Sequence, residues 1–153
     1  MSRFCLDVNV MDAKKILNPK GWLIGLGILV ILLASSNIAG SEEVAKISWG
    51  EDNIKGNEAA YEEMWALHLI PLGIMAIATA LIVKGKALSQ IAMAASGTVV
   101  VVIGGGMGFM TQRHDYGTSG GAATLVPLIV MLLVILLGVA GYMHKDDAEE
   151  SGE

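Results

Sequence analysis

Charged residues are scarce in this chain, since Asp, Glu, Lys and Arg make up 16% of its 153 residues. A soluble globular domain carries roughly 25% charged residues, so the deficit argues against a soluble fold. The basic residues form neither a patch nor a stripe, which argues against a nucleic-acid partner. Cys5 is the only cysteine, and a single thiol excludes an internal disulfide framework. No nucleophile with a matching base is recognisable, so we expect the chain by itself not to be an enzyme.

The chain has instead four long apolar stretches that contain no Asp, Glu, Lys or Arg. A helix needs about 20 apolar residues to cross a hydrocarbon core of about 30 Å. Backbone groups in lipid must be hydrogen-bonded within their own segment, so the stretches are predicted to be helices. The predicted fold class is an all-α membrane protein with a four-transmembrane-helix bundle. The four spans are residues 21–40, 65–83, 87–110 and 121–143.

The distribution of lysine and arginine predicts the orientation of the bundle. Basic residues concentrate before the first span, between the second and third spans, and after the fourth. The positive-inside rule therefore places both termini in the cytoplasm of an inner-membrane protein. The other parts of the chain are a cytoplasmic arm (1–20), an acidic outer loop (41–64) and an acidic cytoplasmic tail (144–153).

Two local features refine this topology. Only Lys84, Gly85 and Lys86 join the second and third spans, which predicts that these spans form a tight antiparallel hairpin. In the outer loop, Asn57 is predicted to be the N-cap of a helix that leads into the second span. Trp49, like the other two tryptophans, suits the head-group depth of a membrane interface.

Small residues recur four positions apart within the spans. Helices in lipid associate through close packing, which small residues permit. These faces are therefore predicted to contact other helices of the chain, other membrane subunits or a second copy. The adjacent glycines at 104–106 also weaken a helix, which leaves a pore-lining role open. The predicted packing pairs are Gly21 with Gly25, Ala76 with Ala80, and Gly104 with Gly108.

Polar residues gather where the second span begins and the third span ends. Three interpretations are open: a polar network that fastens the loop to the bundle, a metal or haem site, and a proton or substrate pathway. A metal or haem site would use His68 and His114, because imidazole is a ligand of both copper and haem iron. Haem and copper are thus the candidate cofactors. The other members of this outer polar cluster are Glu62, Glu63, Asp115 and Tyr116.

A partial resemblance concerns the second span alone. His68, then Pro71-Leu72-Gly73 and a basic turn, make this span loosely similar to the metal-carrying C subunit of archaeal copper membrane monooxygenases. The Asp and His ligands that such a resemblance implies have no counterpart around this span. No ligand is therefore carried over to this chain.

Three functions follow as hypotheses. The first is a non-catalytic accessory or structural subunit of a larger membrane complex, which the short loops and glycine-rich helix faces favour. The second is a haem- or metal-binding redox subunit that uses the outer-side histidines. The third is a small oligomeric transporter or channel with the Gly104–Gly108 region at its conduit.

Overall fold

The computed structural model describes residues 13–118 and 120–147, with the backbone alone at Ala122 and Ala123. Within this part the chain is helical and has no strand. Residues 1–12 of the predicted arm, which include Cys5, and residues 148–153 of the predicted tail lie outside the described residues. The elements are α1 (Pro19–Ala39), α2 (Ser41–Trp49), a 3-10 turn (Glu51–Asn53), α3 (Glu58–Ile82), α4 (Gly85–Thr98), a π-helical segment (Val99–Gly104), α5 (Gly105–His114) and α6 (Ala122–Met143).

Within the described residues, four helices are long and apolar enough to cross a membrane. The third of them runs over Gly85–His114 and consists of α4, the π-helical segment and α5. Large apolar side chains cover the surface of these helices, such as Ile82 at 77% exposure and Leu128 at 61%. Monomeric soluble proteins rarely expose apolar surface on this scale, whereas it suits contact with lipid. The predicted all-helical class with four apolar spans is thus confirmed.

The helices pair in the order of the chain. α1 packs most extensively against α3, and α4 packs most extensively against α6. The first span therefore pairs with the second, and the third with the fourth. α3 and α4, which are both fully described, contact each other very little although Val83 and Lys84 alone separate them. The predicted tight hairpin of the second and third spans is therefore wrong, because a short link constrains only the helix ends.

Contact between two backbones holds the first pair together. A Cβ atom added at Gly27 would lie 2.7 Å from the carbonyl oxygen of Gly73, and one added at Gly73 would lie 2.7 Å from that of Gly27. The same atoms would lie 2.7 Å from Ile77 Cγ1 and Ile31 Cγ1, respectively. Each glycine thus contacts the backbone of the other helix and one of its isoleucine side chains. Only a residue without a side chain fits at either position.

The second pair combines glycine contacts with hydrogen bonds. A Cβ atom at Gly138 would lie 2.6 Å from Ser96 Oγ, and one at Gly141 would lie 2.7 Å from the carbonyl oxygen of Ser89. Ser96 Oγ donates a hydrogen bond of 2.8 Å to the carbonyl oxygen of Val134. Small residues in α6 therefore let a buried hydroxyl of α4 reach the backbone of its partner helix.

The two pairs meet in only one half of the bundle. This half adjoins the end formed by residues 13–18, 83–84 and 144–147, which we call the basic end. The opposite end, with α2 and residues 115–118 and 120–121, is the acidic end. Toward the acidic end, the π-helical segment and α5 have no buried residue, and neither do the described side chains of α6 before Val134. The buried core consists of Leu23, Leu26, Ala80, Leu88, Ala92, Val134 and Leu137.

Replacement of Gly73 by alanine tests the contact that holds the first pair. The new Cβ atom would overlap the backbone of α1, so we expect Gly73→Ala to lower the free energy of unfolding by about 1–3 kcal/mol. Gly97→Ala is the matched control, since no described residue lies within 4 Å of a Cβ atom there. That control is expected to be neutral or slightly stabilising. Thermal unfolding in detergent measures both, and equal stability of the two variants would contradict the prediction.

Candidate functional site

A polar cluster at the acidic end joins three parts of the chain. The carboxylate of Glu62 is 3% exposed and lies one turn into α3. Its Oε1 accepts hydrogen bonds from Trp49 Nε1 and from Tyr116 Oη, each at 3.1 Å. Trp49 is the last residue of α2, and Tyr116 follows α5. These three residues, the Glu62 cluster, therefore tie α2 and the loop before α6 to the start of α3.

Aromatic rings surround the indole of Trp49. The ring of Tyr116 meets it edge-on with the centroids 5.2 Å apart, and those of His114 and Tyr61 lie at 6.4 Å and 6.5 Å. Next to this stack, the backbone N–H of Gly117 donates to the carbonyl oxygen of Ser48 at 2.7 Å. The loop between α5 and α6 thus contacts α2 through aromatic rings and through a backbone hydrogen bond.

Tyr116 is held in its neutral form. Burial raises the pKa of its phenol to about 12, and the nearby negative charge of Glu62 adds to the rise. Ionisation would also remove the proton that the phenol donates to Glu62, whereas a hydrogen bond with Ser48 lowers the pKa. At neutral pH, the phenol of Tyr116 therefore keeps its proton and donates a hydrogen bond to the buried carboxylate of Glu62.

The other two residues of the predicted cluster lie outside this network. Glu63 Oε1 accepts a hydrogen bond of 2.7 Å from Ser41 Oγ, which links the beginning of α2 to α3. Asp115 is the C-cap of α5 with a left-handed backbone at φ 54°, and its carbonyl oxygen accepts from Thr118 Oγ1 at 2.6 Å. Glu62 and Tyr116 are thus brought together, while Glu63 and Asp115 each stabilise a different junction.

The start of α3 is capped by a residue that differs from the predicted one. Asn57 stands at the N-cap position as expected, but its side chain makes no capping hydrogen bond because its backbone is already in the helical region. Instead, Oε2 of Glu58 accepts from the backbone N–H groups of Lys55, Gly56 and Asn57 at 2.9, 2.8 and 3.0 Å. This carboxylate orders the chain between the 3-10 turn and α3.

The two histidines of the predicted metal site have separate surroundings. His68 is exposed, and its Nδ1 donates to the carbonyl oxygen of Met64 in its own helix at 2.5 Å. His114 is exposed at the end of α5, beside Trp49. Within residues 13–118 and 120–147, no group of three or more His, Cys, Asp or Glu residues is placed to hold a metal. Around Glu62, the residues of this end are joined by hydrogen bonds.

The six predicted packing residues fall into two groups. Ala80 is buried in the core, Ala76 packs against that core, and a Cβ atom at Gly104 would lie 3.1 Å from Met131 Cε of α6. At the other three, Gly21, Gly25 and Gly108, a Cβ atom would have none of the described residues within 4 Å. These three thus have open space beside them among the described residues.

A second cluster, at the basic end, has no signal in the sequence. Lys14 Nζ lies 2.9 Å from Asp147 Oδ1, and His144 Nδ1 lies 2.5 Å from Asp147 Oδ2. The other ring nitrogen of His144 is 3.1 Å from the carbonyl oxygen of Lys14, and its own carbonyl oxygen accepts from Ser89 Oγ. The hydrogen bond from Lys14, followed by that from His144, lowers the pKa of Asp147. The two ends of the described chain are thus fastened together.

The fold and its two polar clusters define an α-helical protein with the features of a multi-pass membrane protein. Comparison of the chain with protein-family models, with curated proteins and with solved structures found no match.

Alkaline titration tests the role of Tyr116. Because the pKa of Tyr116 is raised from 10.0 to about 12, its hydrogen bond to Glu62 is fully present below pH 10 and is lost as the pH rises through 12. We expect Tyr116→Phe to lower the melting temperature at neutral pH and to remove this step from its pH dependence. Tyr142→Phe is the control, since Tyr142 is exposed near the opposite end. Identical alkaline profiles for the wild type and Tyr116→Phe would contradict the assignment.

Proposed function

We propose that this protein is a non-catalytic accessory subunit of a larger membrane complex, which it contacts through α5 and the adjoining half of α6. The observation that carries the proposal is the set of glycines in α5 beside which a Cβ atom would meet no neighbour among the described residues. The argument depends on what glycines do elsewhere in the same bundle.

Glycines inside the paired spans mark the places where another helix lies close. Gly27, Gly73, Gly138 and Gly141 would each place a Cβ atom within 2.7 Å of an atom of the partner helix. A glycine weakens a helix by roughly 0.5–1 kcal/mol relative to alanine, so such positions require a compensating contact. In these four cases the compensating contact lies within the chain.

The glycines of α5 lack this compensation. At Gly105, Gly106 and Gly108, a Cβ atom would have nothing within 4 Å among the described residues. Gly104 and Gly108 lie on one side of the helix, because residues four apart are neighbours. A Cβ atom at Gly104 would contact Met131 of α6, whereas one at Gly108 would contact none of the described residues. A helix of another chain would occupy the open space beside Gly108.

The surroundings of these glycines are equally open. The side chain of Val101 is 73% exposed and that of Phe109 is 57% exposed, while on α6 Leu125 is 58% exposed. A π-helical segment precedes α5, and such segments occur frequently at functional sites. A partner helix would bury this apolar, glycine-lined surface and make the half of the bundle near the acidic end as well packed as the other half.

Charge supports an orientation with the acidic end outside the cell and both termini in the cytoplasm, as the positive-inside rule predicts. The acidic end would then present a negative surface, next to the Glu62 cluster, for polar contacts at the rim of an interface. Its charged residues are Glu42, Glu43, Lys46, Glu51, Asp52, Lys55, Glu58, Glu62, Glu63, Arg113 and Asp115, whereas the described charged residues of the basic end are Lys14, Lys15, Lys20, Lys84, Lys86, Lys145, Asp146 and Asp147.

The redox and transport hypotheses have less support. One ring nitrogen of His68 already donates to its own helix. The buried hydroxyls of Ser89 and Ser96 donate to the backbone carbonyls of His144 and Val134. The two serines thus join α4 to α6 and to the residue that follows it.

Co-purification from native membranes in mild detergent tests the proposal. We expect the wild type to be recovered with at least one other membrane protein, and Gly108→Leu to weaken that association about tenfold or more, because a bulky side chain overpacks the interface. Gly25→Leu is the matched control: it is the same substitution at another helix glycine without a described neighbour, and it should retain the partner.

Two outcomes would contradict the proposal. Recovery of the wild type as a lone monomer removes the accessory role. Full retention of the partner by Gly108→Leu, in a variant that melts at the wild-type temperature, removes α5 as the contact.

A further inference from the structure

His144 contacts three parts of the chain at the basic end. It is the C-cap of α6, and its carbonyl oxygen accepts a hydrogen bond of 3.1 Å from Ser89 Oγ of α4. Its ring nitrogen Nε2 lies 3.1 Å from the carbonyl oxygen of Lys14, in the segment before α1. The other ring nitrogen, Nδ1, lies 2.5 Å from Oδ2 of Asp147, in the turn after α6. Lys14, His144 and Asp147 together form what we call the His144 cluster.

Both partners of the imidazole ring are hydrogen-bond acceptors. A carbonyl oxygen and an ionised carboxylate have no proton to donate. The protonated imidazole donates from both of its nitrogens and therefore satisfies both partners. The neutral imidazole has a single N–H, so its other nitrogen would point a lone pair at an acceptor oxygen. One of the two ring contacts is therefore lost when His144 is neutral.

The groups around the ring suit its protonated form. The carboxylate of Asp147 lies between two cationic groups, since its other oxygen is 2.9 Å from Lys14 Nζ. From α4, the group that contacts His144 is the neutral hydroxyl of Ser89. The carboxyl end of α6, where His144 lies, also favours a positive charge. The other described charged residues of the basic end are Lys15, Lys20, Lys84, Lys86, Lys145 and Asp146.

The two acid–base groups of the cluster change charge in different pH ranges. The hydrogen bond from Lys14, followed by that from His144, lowers the pKa of Asp147 from its usual 3.8. The contribution of this carboxylate is therefore fully present above pH 3.8 and is lost as the pH falls through the lowered pKa of Asp147. A histidine loses its charge between about pH 5 and pH 8. The cluster is thus complete on the acid side of that range and incomplete on its alkaline side.

We propose that the His144 cluster is a pH-sensitive contact, which holds residues 13–18 against the end of α6 when His144 is protonated and releases them when it is neutral. Release is confined to the end of the bundle, because Ala140 is fully buried about one turn inside His144. The released segment stays joined to α1, since Trp22 Nε1 donates to the carbonyl oxygen of Ile16. In the orientation proposed above, the contact would respond to the pH of the cytoplasm.

Distances between two spin labels measure this contact in the full-length protein. Ile16→Cys and Tyr142→Cys supply the labelled sites, since both side chains are exposed, and Cys5→Ser removes the native thiol. Pulsed electron spin resonance in detergent is compared at about pH 5.5 and about pH 8.5, on either side of the histidine range. We expect one short distance at the lower pH and an additional longer distance at the higher pH. The ratio of long to short should rise roughly three- to tenfold, the effect of one lost hydrogen bond.

Substitutions assign this response to the histidine. His144→Gln removes the group that changes its charge, so the distances should become the same at both pH values. His68→Gln is the matched control and should keep the response, because the ring of His68 bonds to its own helix. Lys14→Gln removes the ion pair but leaves both acceptors of the ring, so it should also keep the response. Asp147→Asn should increase the longer distance at both pH values.

Three results would overturn the inference. Identical distances at the two pH values in the wild type would show that protonation does not control the contact. A response that persists in His144→Gln would assign the pH dependence to another group. Loss of the response in Lys14→Gln would assign it to the ion pair instead of the ring. The purified chain alone is measured, so the result does not depend on whether α5 binds a partner.

Discussion

The close approach of two backbones at Gly27 and Gly73 is the contact on which the arrangement of the other helices depends. Lipid tails are as apolar as leucine, so helices in a membrane gain little from simply hiding side chains and must instead fit one another closely. α1 and α3 pack closely at these two glycines. α4 and α6 pack closely where residues of α4 contact Gly138 and Gly141. The two pairs then share a core near the basic end. Where no such fit exists, α5 and the described side chains of α6 before Val134 are not buried, and Gly105, Gly106 and Gly108 of α5 have open space beside them among the described residues.

Hydrogen bonds join the helices at the acidic end, where α5 has no buried residue. The Glu62 cluster gathers α2, α3 and the loop after α5 around one buried carboxylate oxygen. A carboxylate away from water is tolerated only when donors surround it. The neutral phenol of Tyr116 and the indole of Trp49 are such donors, and neither brings a charge of its own. The opposite end uses an ion pair instead, between Lys14 and Asp147, and His144 contacts the same carboxylate. The molecule is therefore fastened at both ends by contacts between residues far apart in sequence.

The spans could be predicted from the sequence because length and the lack of charge suffice to define a helix in lipid. The start of α3 could be predicted as well: it begins at Glu58, directly after the predicted N-cap Asn57, and continues into the span that begins at residue 65. Pairing could not be predicted, since a short link says nothing about where two helices fit. The spacing rule selected Gly104 but missed Gly27 and Gly73, because a close crossing needs one small residue on each of two helices rather than two on one. In the polar cluster, Glu62 and Tyr116 were predicted from their depth. Trp49 was interpreted as a membrane anchor, because nothing in the sequence shows that α2 folds back over α3.

Pairing in chain order has a consequence for biosynthesis. Each helix of a pair emerges from the ribosome directly before or after its partner, so the first pair can form before the third span has been made. Contacts between segments that are near in sequence form quickly, because little chain entropy is lost when they meet. The second pair forms in the same way, and the two pairs can pack against each other afterwards. The cluster that includes Tyr116 joins residues that all precede α6, so it can close before α6 has been made. The cluster that includes Asp147 follows α6 and can close only after both pairs have been made. Closure of the second cluster would then distinguish a bundle that contains both pairs from one that contains only the first.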